Sequence, residues 1–475
     1  MKNLLTRYRP RFVRSLVYML QTCEYDVHDY LAWYHRTRDF AHVEVRKTLD
    51  PTQKALALLR LTWVLVVAWC VSVMAFAAST GSDVPLVVGA GVVLLLPFYL
   101  PYGILIPLFI LKQIQRPLEA RRIRDAKKIL NAHNGVKIAI SGSYGKTTMR
   151  EILKTVLSTD KKVAAPQGSY NTPLGIASFV HTLAGDEDII IFELGEYYPG
   201  DVKMLCEFVR PDIGIITGVN EAHLEKFGTL EKTAATIFEL ADYLGDTPVY
   251  VNEENEGARA KAREGDLLFS RAGVHDWRVV NPNADLRGTT CTLVRGAIVV
   301  KVSSKLLGMH MLGPLAVAAD IAWELGLPVS RIEEGIQQTE AFPHRLQPTV
   351  DNTGVITLDD SYNGNPDGVA AVITFLSSIK GRRRFYITPG LVEMGTRKES
   401  VHEEIGKQLA GAGIENIVLI RTTATPSIES GLQEAGFKGK ILRFDDMPSA
   451  LHAVTHMTVS GDIVLLHNDW PDQYS

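Results

Sequence analysis

The chain has 475 residues, long enough for two or three domains, and a formal net charge of −3 with 22% charged residues. Four cysteines, Cys23, Cys70, Cys206 and Cys291, are widely spaced and form no CxxC pair. That excludes a disulfide framework and a cysteine zinc site, and it fits a reducing compartment.

The near-neutral total averages over regions of very different character. The first, 1–54, is basic, with Arg7, Arg9, Arg11 and Arg14 followed by Arg46, Lys47 and Lys54. Leu56 to Ala78 is then almost wholly apolar. After Ser79-Thr80-Gly81-Ser82-Asp83, a second apolar run extends from Val84 to Leu111. Each run exceeds the ~20 residues that a helix needs to cross the hydrocarbon core, which predicts a transmembrane hairpin over 55–111. Pro97, Pro101 and Pro107 predict a second helix that is kinked or broken, irregular toward its outer end. A basic linker, 112–134, follows with Lys112, Arg116, Arg121, Arg122, Arg124, Lys127 and Lys128. The turn between the two runs holds no Lys or Arg, so the positive-inside rule places both flanks and the rest of the chain in the cytoplasm. The late start and the second run exclude a cleavable signal peptide. Membrane lipids are expected partners through 55–111 and its basic flanks, and nucleic acid is not expected.

From Val136 onward short β-branched runs alternate with helical stretches, an α/β pattern. Val136 to Ile140 leads into Ser141-Gly142-Ser143-Tyr144-Gly145-Lys146-Thr147-Thr148, and a helix is predicted over Thr148 to Leu157. A strand, a glycine turn and a helix start aim backbone N–H groups at one spot, where the helix dipole favours an anion. Lys146 adds a mobile positive charge for a terminal phosphate, and Thr147 offers a hydroxyl to a magnesium ion. The loop therefore implies a nucleoside triphosphate. The Walker pattern places a glycine five residues before Gly145, where this chain has Ile140; its earlier glycine is Gly142.

Ile189 to Phe192 and Ile213 to Ile216 read as buried parallel strands, Thr292 to Val302 as a hairpin turning near Arg295-Gly296, and Leu315 to Leu325 as a helix. The pattern restarts near Phe342. Val355 to Leu358, Phe385 to Thr388, Ile417 to Ile420, Ile441 to Phe444 and Ile463 to Leu466 are strand candidates, separated by helices such as Val369 to Ser378 and His402 to Ala412. Two doubly wound units result, 135–340 and 341–475, with ligands expected at the carboxyl ends of their strands. Asn171, Glu193 and His223 stand at such ends.

The short loop with paired threonines resembles that of the Mur ligases, which couple ATP cleavage to amide-bond formation. Further blocks resemble the D-alanyl-D-alanine-adding (MurF) type: Glu193-Leu194-Gly195, Ala222-His223-Leu224-Glu225 and the loop around Asn171-Thr172. So do His344-Arg345-Leu346-Gln347, Asp359-Asp360-Ser361-Tyr362-Asn363-Gly364-Asn365-Pro366, and Pro389 to Gly395 followed by His402. The resemblance implies a P-loop central domain, a Rossmann-like C-terminal domain, and ATP and Mg2+ as cofactors. It implies that Gly142, Ser143, Gly145, Lys146, Thr147, Thr148, Arg345 and Asp360 bind the nucleotide. It implies that Thr147, Glu193 and His223 hold metal, and that Lys146, Glu193, His223 and Arg345 are catalytic. Asn171, Thr172, Tyr362, Asn363 and Asn365 are the implied substrate contacts.

The departures are equally specific. The resemblance spans roughly 135–465, and the hairpin stands where the family's UDP-sugar domain would be. Ile237 or a neighbour occupies the position of a carbamylated lysine. Gly308 to Pro314 lacks both asparagines of an adenine-contacting block, and Leu466 to Pro471 replaces a late Lys-Gly-Ser segment. The leading expectation is a membrane-anchored acid–amine ligase acting through an acyl phosphate on cell-envelope precursors. Its carboxylate and amine substrates would be lipid-linked or made at the membrane, and a protein partner could supply the missing substrate domain. The alternatives are a poly-γ-glutamate-like synthase and a catalytically degenerate nucleotide-binding scaffold.

Overall fold

The computed structural model describes residues 5–40, 43–44, 48–79, 83–168, 170–220, 227–362 and 364–468. The chain forms two compact units, the first ending at Arg121 and the second running from Arg122 to Asp469.

In the first unit the basic N-terminal segment is folded. Helices Phe12–Thr22 and Val27–Arg36 bury Leu16, Met19, Leu20 and Tyr30 in one cluster with Leu58, Ile104 and Leu108. Asp26 caps the second of these helices by accepting from Asp29 N at 2.9 Å. The first apolar run is the helix Gln53–Ser79. The second is divided into Asp83–Leu94, Leu96–Gly103 and Leu105–Ala132. Its irregularity falls at Leu95 and Ile104, in the middle of the run rather than at its outer end. Pro97 and Pro107 sit in the first turns of new helices, where a missing N–H is harmless, and each new start breaks the one before. The basic stretch read as a linker is helical through Ala132. Two segments, Gln53–Ser79 and Leu96–Ala132, are long and apolar enough to cross a membrane by length and composition. Their outer faces expose Val64, Trp69, Phe76, Tyr99 and Phe109.

The second unit is built on two sheets. Strands β1 (Val136–Ser141), β2 (Val163–Ala164), β3 (Ile189–Glu193), β4 (Ile213–Ile216), β5 (Tyr250–Asn252) and β6 (Leu267–Ser270) run parallel in the order β6-β5-β4-β1-β3-β2. Antiparallel β7 (Gly273–Val274), β8 (Trp277–Asp285), β9 (Gly288–Arg295) and β10 (Ile298–Ser304) extend that sheet, the last two forming the predicted hairpin. Alternation along β1 sends Ile138 and Ile140 to one face, with Ile152 and Leu153 of the helix Lys146–Leu157. Ala139 goes to the other face, with Leu205 and Ile237. Both faces are thus covered, as a parallel sheet requires. The register pairs Ile140 with Glu193 and Ser141 with Ile216, so the carboxyl ends of β3 and β4 flank the start of the glycine loop.

The second sheet comprises β11 (Gln347–Val350), β12 (Ile356–Asp360), β13 (Arg384–Thr388), β14 (Asn416–Ile420), β15 (Lys440–Phe444) and β16 (Ile463–His467), in the order β11-β12-β16-β13-β14-β15. All its pairs are parallel except β11 with β12. Asp360 and His467 are register partners at the carboxyl ends of β12 and β16.

Candidate active site

The loop after β1 turns at Gly142 (φ +141°) and Gly145 (φ +75°). A Cβ on Gly142 would collide with Thr217 Oγ1 and lie 3.1 Å from Gly218 N, so glycine is what lets the loop rest against the end of β4. Ser143 N donates to Gly218 O at 2.9 Å, and the Thr217 hydroxyl donates to Tyr144 O. The helix that follows begins at Lys146, two residues earlier than the sequence suggests, and has no side-chain cap. Its first amides and the positive end of its dipole are therefore left for an anion. Other helix starts nearby are closed: Thr172 accepts from Gly175 N at 3.2 Å, and Asn365 from Gly368 N at 3.0 Å.

Charged side chains gather below the loop. Lys146 Nζ lies 2.8 Å from each carboxylate oxygen of Glu196 and also donates to Gly142 O. Thr147 Oγ1 donates to Glu193 Oε2 at 3.1 Å. Arg150 Nη1 stands 2.7 Å from Glu193 Oε1 but directs its hydrogen bond to Gly168 O, leaving Oε1 buried without a donor among the described residues. Burial raises the Glu193 carboxyl pKa, against the opposing pull of Arg150, Lys146 and Thr147. Ser141 Oγ is likewise buried without a partner. The Glu193 carboxylate and the Thr147 and Ser141 hydroxyls form an all-oxygen donor set in which Glu193 Oε1 and Ser141 Oγ are unsatisfied among the described residues, so these residues fit a magnesium ion. His223 and Asn363 lie outside the described residues. Ile237 is fully buried among apolar side chains and provides no carbamate.

The opposite wall comes from the C-terminal sheet. Arg345 Nη1 donates to Tyr362 O at 2.6 Å, and its guanidinium carbon lies 5.0 Å from the Tyr362 ring centroid. Burial lowers its pKa, with the charges of Asp360 and Glu193 acting the other way. Asp360 Oδ1 accepts from Leu346 N at 3.0 Å, and its Oδ2 lies 3.4 Å from His467 Nε2. His467 is buried and receives or gives a 2.5 Å hydrogen bond at Nδ1 with Tyr386, while Nε2 has no hydrogen-bond partner. Burial holds it toward the neutral form.

The two walls meet through Asn220, whose Nδ2 donates to Asn365 Oδ1 at 3.0 Å. Gly145, Thr148, Arg345, Asp360, Asn365 and His467 line one cavity of 630 Å³ between them. Met309, His310 and Met311, from the block without asparagines, reach the same cavity. Asn171 lies beside the end of β3, its carbonyl accepting from Gly195 N at 2.9 Å, and a Cβ on Gly195 would come within 2.6 Å of that oxygen. The structure thus gathers Lys146, Thr147, Glu193, Arg345 and Asp360. Thr172 and Asn365 are engaged as helix caps, and Tyr362 is exposed. Sequence reasoning passed over Glu196 and His467, although both stand inside segments it singled out.

A doubly wound α/β unit with an uncapped P-loop helix facing a Rossmann-like domain across a cleft defines a class of enzyme that cleaves a nucleoside triphosphate. Comparison with known proteins narrows the class. The Mur ligase middle domain matches residues 140–322, and the Mur ligase glutamate ligase domain matches residues 344–467. The chain is 26% identical over 304 residues to the UDP-N-acetylmuramoyl-tripeptide--D-alanyl-D-alanine ligase of Escherichia coli, covering 62% of this chain and 67% of that one. It is 22% identical over 332 residues to the Bacillus subtilis ligase of the same name, covering 69% and 72%. The fold is that of the MurF ligase of Thermotoga maritima solved with ADP, with a TM-score of 0.64 at 24% identity over 74% of this chain and 80% of that one. The two domain matches together span more than half of the chain, which belongs to the Mur ligase family. It is accordingly an ATP-dependent, ADP-forming carbon–nitrogen ligase, with ATP and Mg2+ as its cofactors.

Proposed function

We propose that this protein is a membrane-anchored ligase of peptidoglycan synthesis that joins a peptide-like carboxylate to an amine through an acyl phosphate. One observation carries the reading: Tyr144, Gly145 and Thr148 of the P-loop and Arg345 and Asp360 of the C-terminal domain line a single cleft, and Thr147, next to Thr148, donates to Glu193. Relatives whose names give a UDP-N-acetylmuramoyl tripeptide and D-alanyl-D-alanine as substrates support the substrate class.

In the first step a carboxylate oxygen of the acid attacks the γ-phosphorus, and the bond to the β,γ-bridging oxygen breaks as ADP leaves with its electron pair. In the second, the amine nitrogen attacks the acyl carbon, phosphate departs, and the amine loses a proton. Lys146 and Arg345 offset charge on the transferring phosphoryl group, and Asp360 orients the nucleotide. Thr147 and Glu193, with His223 by the family resemblance, would hold a magnesium ion, which would supply Lewis-acid stabilisation of the phosphoryl oxygens. Tyr362 and Asn365, which line the cleft, support a substrate side to which the family resemblance adds Asn171, Thr172 and Asn363. Enclosure between two domains keeps water from the acyl phosphate. The apolar helices Gln53–Ser79 and Leu96–Ala132 support anchoring, which suits an acid that is lipid-linked or made at the membrane.

The test is mass spectrometry of reactions holding detergent-purified protein, MgATP, muramyl-peptide acids and amino-acid or dipeptide amines. A condensed amide formed with one ADP per bond is the expected result. ATP hydrolysis that ignores both acid and amine, with no condensed product, would overturn the reading.

A further inference from the structure

Glu196 stands three residues past the end of β3, is 3% exposed, and places both carboxylate oxygens 2.8 Å from the ammonium group of Lys146. Lys146 is the loop's only lysine and the group with which the proposed function meets a terminal phosphate. Glu193, the other acid at this strand end, faces Arg150 at 2.7 Å rather than Lys146. The lysine of the resting loop is therefore already compensated, which leaves the open helix amides as the loop's offer to an arriving triphosphate. If Lys146 turns to a phosphate, the Glu196 carboxylate stays behind, buried beside a polyanion and without its partner. A buried charge left unpaired is strongly unfavourable, and the remedy is a new cation.

We infer that Glu196 makes this site selective for metal-loaded nucleotide: it neutralises Lys146 at rest and, once a phosphate takes the lysine, stands as a buried negative charge that a divalent cation must offset. The inference rests on the proposed nucleotide role of the loop. Metal-free ATP is penalised twice, because it must separate Lys146 from Glu196 and then sit beside the freed carboxylate. MgATP brings the compensating charge with it. Glu196 is thus a specificity-determining residue that acts through Lys146 and through the field at the phosphates.

Equilibrium titration of the full-length detergent-purified protein with ATP tests this, once with excess Mg2+ and once with a chelator. Wild type is expected to bind MgATP much more tightly than metal-free ATP. Glu196→Gln, which keeps the shape and removes the charge, is expected to tighten metal-free ATP by about tenfold or more, as coupled charge pairs at close range do, and to change MgATP binding far less. Glu196→Asp keeps the charge and is expected to restore the wild-type preference for metal. Parallel shifts for the two nucleotide forms in Glu196→Gln, with the folded state confirmed by its thermal transition, would overturn the inference. Failure of wild type to bind ATP in either form would overturn the nucleotide reading of the loop and the inference with it.

Discussion

Gly142 fixes the loop against the Thr217 hydroxyl and the Gly218 amide, and both neighbours are held by hydrogen bonds of their own. Gly142→Ala should therefore displace the loop and abolish ATP binding measured by titration, while Gly411→Ala, with open space around its Cβ and no left-handed backbone, serves as a control for added bulk. Lys146→Ala should lower substrate-stimulated phosphate release about 10²-fold or more; near-normal release would remove the lysine from the mechanism. Glu187 offers a pH readout away from the cleft. Burial alone would raise its pKa, but the amides of Ala184 and Gly185 and the His133 side chain, 3.0 Å away, bring it down to about 2. A lowered folded-state value means stability that is present above the ordinary 4.5 and is lost as pH falls from there toward 2. Acid unfolding curves should show Glu187→Gln less stable at neutral pH, with the difference from wild type closing across that window. These residues differ in how far sequence reveals them. Lys146 and Thr147 are legible because the loop is contiguous. The Lys146–Glu196 pair depends on the β1–β3 register, which brings together positions 50 residues apart, and no local pattern announces it.

At the scale of elements, the parallel strands were the most readable, since Ile189–Glu193 and Asn416–Ile420 are continuously buried and rich in isoleucine and valine. Two short strands were not. Gln347–Val350 contains Pro348, which is tolerated at the antiparallel edge of the second sheet, and Gly273–Val274 has too few residues for any periodicity. The helices Phe12–Thr22 and Val27–Arg36 were masked by their arginines, which drew attention to charge rather than to the buried face of Leu16, Met19 and Tyr30. Helix crossing gives a sharp expectation. Helices Lys398–Gly411 and Thr425–Glu434 meet through Gly406 and Gly431, and a Cβ on either would collide with the Ile428 or Glu403 carbonyl of the facing helix. Gly406→Ala should destabilise the C-terminal domain by roughly 1–3 kcal/mol, read as a lower thermal midpoint. An unchanged midpoint would mean that the helices part without loss.

At the scale of the whole molecule, the family assignment rests on the second unit, whose middle and C-terminal domains match the Mur ligases. The first unit lies outside both matches, and two of its helices are long and apolar enough to cross a membrane. With Trp69, Phe76 and Phe109 exposed along its helices, the chain should remain with membranes through high-salt and alkaline carbonate washes and leave them in detergent. Release by salt alone would reduce the helices to a peripheral patch. That the chain carries a ligase core was legible from motif order, because the matching blocks fall in sequence within 140–322 and 344–467, but which acid it takes was not.

The central claim is that ligation at this cleft proceeds through an acyl phosphate. Running the reaction with an acid substrate carrying oxygen-18 in its carboxylate, and weighing the released phosphate, tests it most directly. Inorganic phosphate bearing one labelled oxygen per amide formed is the result this account predicts. Unlabelled phosphate, or label found in AMP, would contradict it.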